Sequence, residues 1–237
     1  MEVWAAIDLH QGRVVTPVRG KPDETTPSSD EPLAVAARWE REGADGLHLV
    51  DLDAVLETGS NGAIVESIIR HAKIPVQFGG GLRSITDVKR WLERGVDRVV
   101  LGTLAHQDPP ALRELLRSCG AERIVVAVDY REGKVVTKGW TKREGLTAVQ
   151  AVKRLEAMHI QIVLSTAVEL DGTAQGPDIA TLRTIRNATS LRIIASGGVR
   201  NVEDIRELQR IGIDGVVLGR ALYEGTTRLS ELNLREA

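Results

Sequence analysis

Two aspartates each close a short apolar run, 121 residues apart: Val3 to Ile7 runs into Asp8, and Arg123 to Val128 into Asp129. A carboxylate at a strand tip can take or give a proton. Two of them facing one pocket suit paired general acid and base work. Either alone could cap a loop or pair with a lysine; it is the symmetry of the two that points to catalysis. Glycine turns recur with the same symmetry. Gly80–Gly81 with Gly102–Thr103 makes one set, and Gly197–Gly198 with Gly219–Arg220 the other. A glycine turn leading from a strand into a helix exposes backbone N–H groups at the positive end of the helix dipole, which makes an anion site. One such set would need only the conformational freedom of glycine as its reason. Two symmetric sets predict a ligand with two phosphates.

The symmetry comes from a repeat. The stretch Phe78 to Thr103 recurs without a gap as Ala195 to Arg220, at a constant offset of 117 residues. Gly81, Arg83, Asp87, Gly95, Asp97 and Gly102 are among the positions that meet an identical residue. Each copy reads as strand end, glycine turn, amphipathic helix and a second strand ending in glycine. Two long copies are too few for a solenoid, and two half-barrels that together close one sheet fit better. Along the chain, short Val/Ile/Leu-rich strands alternate with helical patterns, predicting eight of each. The fold class is α/β: a single (β/α)8 TIM barrel over residues 1–237, built from two similar half-barrels. Its active site belongs at the carboxyl ends of the strands, where the first and fifth strands put Asp8 and Asp129 across from each other.

Between these elements, Arg19 to Asp30 reads as a long polar loop, and YREGKVVTKGWTKREG as a hairpin-like loop carrying Trp140. Helices are predicted for Pro32 to Glu42, Leu146 to Met158 and, last, Ala221 to Leu232. Thr166 ends the sixth strand. Asp51 and Asp53 read as braces for neighbouring loops, and His48 as a packed core histidine.

Composition narrows the functional classes. The chain has 237 residues, 31 basic and 33 acidic side chains, and a net charge of −2, which gives no reason for a nucleic-acid or membrane surface. No signal peptide or apolar run of spanning length is read. The single cysteine, Cys119, excludes an intramolecular disulfide framework, so a cytoplasmic setting is the default. No His/Cys/Asp cluster has metal spacing, and there is no P-loop or dinucleotide fingerprint. The economical expectation is a proton-transfer enzyme without metal or cofactor.

The segments AAIDLHQGRVV, LHLVDLDAV, FGGGLRS, VVLGT, VAVDYREGKVVTKGW, DGTAQGPD, ASGGVR and VVLGRALYEG follow in that order across nearly the whole chain. As an ordered set they resemble the histidine-biosynthesis barrel family, and within it the isomerases that open the aminoaldose ProFAR to the aminoketose PRFAR by an Amadori rearrangement. The family's cyclases, the barrel subunits of imidazole glycerol phosphate synthase, typically read CLDV at the first strand and carry a lysine in the following VVKG segment. AIDL and Val15–Thr16 stand here instead, on the isomerase side.

A monomer is expected, and the resemblance implies a small bisphosphorylated substrate. It implies that Asp129, as acid, protonates the ribose ring oxygen to open a Schiff base, and that Asp8, as base, removes the C2′ proton to give an enolamine. Thr166 then hydrogen-bonds the reacting sugar and Trp140 folds over it. Gly81, Arg83, Gly102 and Thr103 match one phosphate end, and Gly198, Gly219 and Arg220 the other. Two positions depart from the family pattern: Thr16, where an arginine is usual (Arg19 lies nearby), and Ala167, where an acidic residue commonly follows the threonine. They keep a silent phosphosugar-binding barrel in view. Lys138, the cation nearest the KGW segment, bears on whether phosphoribosylanthranilate is a second substrate.

Overall fold

The computed structural model describes residues 1–18 and 21–232. Eight parallel strands, β1 (Glu2–His10), β2 (Gly46–Asp51), β3 (Val76–Gly79), β4 (Arg98–Leu101), β5 (Ile124–Arg131), β6 (Ile162–Ala167), β7 (Arg192–Ser196) and β8 (Gly215–Leu218), pair in chain order. The ring closes where β8 meets β1, from Glu2↔Gly215 to Ala5↔Leu218. Helices α1 (Pro32–Glu42), α2 (Gly62–His71), α3 (Ile85–Glu93), α4 (Pro109–Cys119), α5 (Ala148–Ala157), α6 (Ile179–Ala188) and α7 (Val202–Arg210) cover the outside.

Two apolar cores follow from the alternation of side chains along each strand. Val3, Ala5, Ile7 and Leu9 face outward and bury against Val35, Trp39 and the other helix residues. Trp4, Ala6, Val125, Ala127, Ile162 and Val217 face inward and fill the barrel axis. Asp8 and Asp129 continue that inward series by one more pleat, so the alternation itself aims both carboxylates into the mouth. The repeat fixes its own helices with caps: the Ser84 hydroxyl accepts from Asp87 N–H at the start of α3, and the Asn201 side chain accepts from Asp204 N–H at the start of α7.

Four expectations are corrected. Lys21–Ser29 is a strand rather than a loop and pairs antiparallel with Arg13–Val18. Proline is tolerated in it, as at Pro27, because this is the open edge of the sheet, where a missing N–H costs no ladder bond. Lys142–Thr147 is likewise a strand, so α5 starts at Ala148, two residues after the predicted start, with Thr147 and Gln150 forming a capping box. The predicted helix Ala221 to Leu232 reduces to a helical turn, Arg220–Tyr223, and a 3-10 turn, Leu229–Glu231. Gly225, at φ 71°, takes the left-handed conformation that stops it. Short helices Leu52–Leu56 and Thr103–Gln107 also follow β2 and β4.

Trp4 sets the packing of the axis. A Cβ at Gly46 would clash with the edge of the Trp4 ring and lie 2.9 Å from the Pro75 carbonyl, so the residue facing Trp4 has to be glycine. Gly46→Ala is expected to destabilise the fold by about 1–3 kcal/mol through overpacking. The double variant Trp4→Phe/Gly46→Ala should lose less than the sum of the two single changes in chemical denaturation, because the sites share one contact.

Candidate active site

The strands that bear Asp8 and Asp129 run past the barrel rim and turn back as hairpins. After β1, His10 pairs with Arg13 across Gln11 (φ 48°) and Gly12 (φ 80°). After β5, Arg131 pairs with Lys134 across Glu132 (φ 51°) and Gly133 (φ 72°). Both are two-residue turns with both φ values positive, the geometry whose twist matches the flanking strands. A carboxylate anchors the first residue of each turn: Asp53 accepts from Gln11 N–H at 2.8 Å, and Glu169 from Glu132 N–H at 3.2 Å.

Asp53 also meets His10 Nδ1 at 2.6 Å and accepts from Asn61, whose side chain bonds Asp51 as well. Asp51 and Asp53 thus brace loops, as the sequence predicts.

Between the hairpins lies a cavity of about 890 Å³ at the carboxyl ends of the strands, lined by Asp8, Asp129, Thr166 and both glycine turns. Gly80 and Gly197 play matching parts. A Cβ on Gly80 would lie 2.6 Å from the Asp51 carbonyl, and one on Gly197 2.8 Å from that of Ala167. Gly81 (φ 68°) and Gly198 (φ 84°) continue each turn.

Gly102 (φ −94°, ψ −100°) and Gly219 (φ −109°, ψ −101°) share one backbone shape and start Thr103–Gln107 and Arg220–Tyr223 with no side-chain cap. The first N–H groups of both helices are therefore left to a ligand or water. The two arginines brace the rim. Arg83 donates to the Ala54 carbonyl and pairs with Glu57 at 2.9 Å. Arg220 donates to the Gly172 carbonyl at 2.7 Å and pairs with Glu224.

Three of the carboxylates that line this cavity, Asp8, Asp129 and Asp171, are raised above the ordinary carboxylate range. Burial pushes Asp8 up to about 8, and the nearby Asp171 charge adds to it. Burial, then the charge of Asp129, pushes Asp171 up to about 7, against a hydrogen bond from Gly172 N–H. Burial raises Asp129 too, opposed by hydrogen bonds from Trp140 and Thr166 and by the nearby His106. Like charges this close cannot all ionise near neutrality. Asp171 was not singled out from the sequence. It stands beyond the strand tip in a loop, and its only signal is its place in DGTAQGPD, five residues after Thr166.

Trp140 Nε1 donates to Asp129 Oδ2 at 2.8 Å. Its backbone belongs to a left-handed run, with Lys138, Gly139 and Trp140 at φ 53°, 60° and 68°. Each non-glycine residue there costs about 1–2 kcal/mol. The Trp140–Asp129 bond and a bond from Lys138 N–H to Thr103 Oγ1 at 3.0 Å offset that cost. His48 is buried, as expected, yet it also lines the cavity, with Gln77 Nε2 2.9 Å from its Nδ1. Of the two departures, Thr16 lines the cavity and bonds Ser28, whereas Ala167 is buried in the outer core. Arg19 lies outside the described residues.

Fold and site together define the class: a doubled (β/α)8 barrel whose two halves bring carboxylates and uncapped glycine turns to one mouth. The model of the Histidine biosynthesis protein family matches residues 2–228, and the chain belongs to that family. It is 45% identical over 225 residues to a protein of Cenarchaeum symbiosum, covering 95% of this chain and 96% of that one. With a Roseiflexus relative the identity is 41%, and with one from Methanosphaera stadtmanae 39%, each covering 98% of both chains. All three are named 1-(5-phosphoribosyl)-5-((5-phosphoribosylamino)methylideneamino) imidazole-4-carboxamide isomerase. Among the described residues no helix is long and apolar enough to cross a membrane.

The raised carboxylates oppose folding as pH rises. Asp8 keeps a proton in the folded state that the unfolded chain gives up above pH 3.8, so its penalty grows from there and is complete above about 8. Asp8→Asn removes that penalty. It is expected to raise Tm by roughly 3–6 °C near pH 9, and by less than about 1 °C near pH 4.5, in thermal unfolding monitored by circular dichroism.

Proposed function

We propose that the chain is the aldose–ketose isomerase for which its relatives are named, converting ProFAR to PRFAR by an Amadori rearrangement. The observation that carries this reading is the pairing of carboxylates from opposite strands, Asp8 on β1 and Asp129 on β5, in one cavity flanked by two matching glycine turns. The turns at Gly80–Gly81 with Gly102–Thr103 and at Gly197–Gly198 with Gly219–Arg220 take one phosphate each, so the sugar to be opened spans the axis between them.

A proton held by the Asp129–Asp171 pair goes to the ribose ring oxygen. The ring C–O bond breaks and the anomeric carbon becomes a Schiff base. Asp8 takes the C2′ proton, the electron pair moves to give an enolamine, and tautomerisation leaves the ketone. Assigning the acid to the pair rather than to Asp129 alone is supported by the donors on Asp129, Trp140 and Thr166, which favour its ionised form. Thr166 orients the sugar. When Trp140 closes over bound substrate it excludes water from the Schiff base.

The cyclase reading needs a route for ammonia along the barrel axis. Trp4 fills that axis, and Glu2 ties its indole to Arg98 and Arg192 at 3.2 and 2.8 Å, which speaks against it. Action in the cytoplasm as a monomer belongs to the same proposal. Leu33 is the one exposed large apolar side chain among the described residues, which supports it.

Asp8→Asn and Asp129→Asn are each expected to lower kcat by about 10²–10⁴-fold. Substrate affinity should stay within about tenfold. The pH profile of kcat/KM should be bell-shaped with its maximum between about 7 and 8, where the pair still holds a proton and Asp8 is ionising. Rescue of a histidine auxotroph that lacks the isomerase separates this reading from a silent phosphosugar-binding barrel. Growth with Asp8→Asn equal to that with the parent chain would count against the acid–base assignment.

A further inference from the structure

β1 and β5 each outrun one neighbour at the same step. β8 pairs with β1 as far as Ala5↔Leu218 and then turns away at Gly219. β4 pairs with β5 as far as Leu101↔Val126 and then turns away at Gly102. The carbonyls of the next residues, Ala6 and Ala127, are left without that neighbouring strand, and a buried carbonyl there needs a donor from elsewhere. A side chain supplies it in both places. Tyr223 Oη donates to the Ala6 carbonyl at 2.8 Å. His106 Nε2 lies 2.7 Å from the Ala127 carbonyl, which can only accept, so Nε2 carries the proton.

His106 and Tyr223 occupy equivalent positions, the fourth residue of the short helix behind Gly102 and behind Gly219. Their acceptors are equivalent too, each two residues before an aspartate and on the same inward face. The residue types differ, and the geometry is kept.

We propose that Tyr223 and His106 are paired positioning residues, each strapping the helix behind a phosphate turn to the strand that carries an acid–base aspartate, so that a bound phosphate and a carboxylate are held at a fixed separation. This rests on the isomerase reading of the same site. A peptide that tilts at Ala6 swings Asp8 two residues on, and a misplacement of about 1 Å at a reacting group costs on the order of 10²-fold in rate. Tyr223 also packs edge-on against Trp39, with ring centroids 5.3 Å apart. Tyr223→Phe therefore removes the strap and keeps the packing.

The test uses the full chain with ProFAR carrying hydrogen or deuterium at C2′. Tyr223→Phe is expected to lower kcat by roughly tenfold, with KM within about threefold and Tm within about 4 °C of the parent. Because its strap serves the base Asp8, the deuterium effect on kcat should increase. His106→Leu should lower kcat similarly with no increase in that effect, and His106→Gln, which keeps an N–H donor, should recover most of the loss. Losses in KM alone, or equal losses in His106→Leu and His106→Gln, overturn the straps. Asp8→Asn measured alongside separates the two readings. Normal turnover there sinks the acid–base assignment, whereas an inactive Asp8→Asn beside kcat within twofold of the parent in both Tyr223→Phe and His106→Leu overturns the straps alone.

Discussion

The carboxyl rim is organised by a mismatch in strand length. β4 and β8 stop at Leu101 and Leu218, while their neighbours β5 and β1 continue to Arg131 and His10. Where the short strand turns off, its glycine opens a short helix that has no side-chain cap and starts at the cavity wall. Where the long strand goes on, the inward alternation places an aspartate and then a hairpin. The glycine turn proposed to take a phosphate and the carboxylate are therefore two sides of one event in the sheet, and it happens twice because the half-barrel does.

Much of this was legible in the sequence because the repeat preserves residue identity at the positions that turn the chain. Gly81, Gly102 and their partners at Gly198 and Gly219 match, and Asp8 and Asp129 keep nearly the same spacing. What escaped did so for physical reasons. Lys21–Ser29 is polar and carries proline, so nothing in its pattern marks a strand; its partner Arg13–Val18 makes it one. Asp171 sits in a loop and is brought to the site by tertiary folding alone. His106 and Tyr223 share a role but no chemistry beyond a donor, so a comparison of identities passes over them. Arg83 and Arg220 stand in the sequence as members of the two phosphate ends. That they hold backbone carbonyls of the rim was not legible there, because those acceptors are 29 and 48 residues away.

The electrostatics of the mouth run against stability. Asp8, Asp129 and Asp171 all lie where burial disfavours their charge, and the donors present are unevenly shared, with two side-chain donors on Asp129 and a backbone N–H on Asp171. That unevenness gives Asp129 and Asp171 different surroundings on a symmetric scaffold, although burial raises both.

The straps also cross between the halves. His106 belongs to the first half and reaches into the second at Ala127; Tyr223 belongs to the second and reaches back to Ala6. Neither half alone can satisfy the carbonyl beneath its own aspartate. The support beneath Asp8 comes from the helical turn that follows β8, the strand that closes the ring on β1. Closure of the ring and support of the site depend on the same segment, and a chain cut short before Tyr223 loses the support beneath Asp8, a residue more than two hundred positions away.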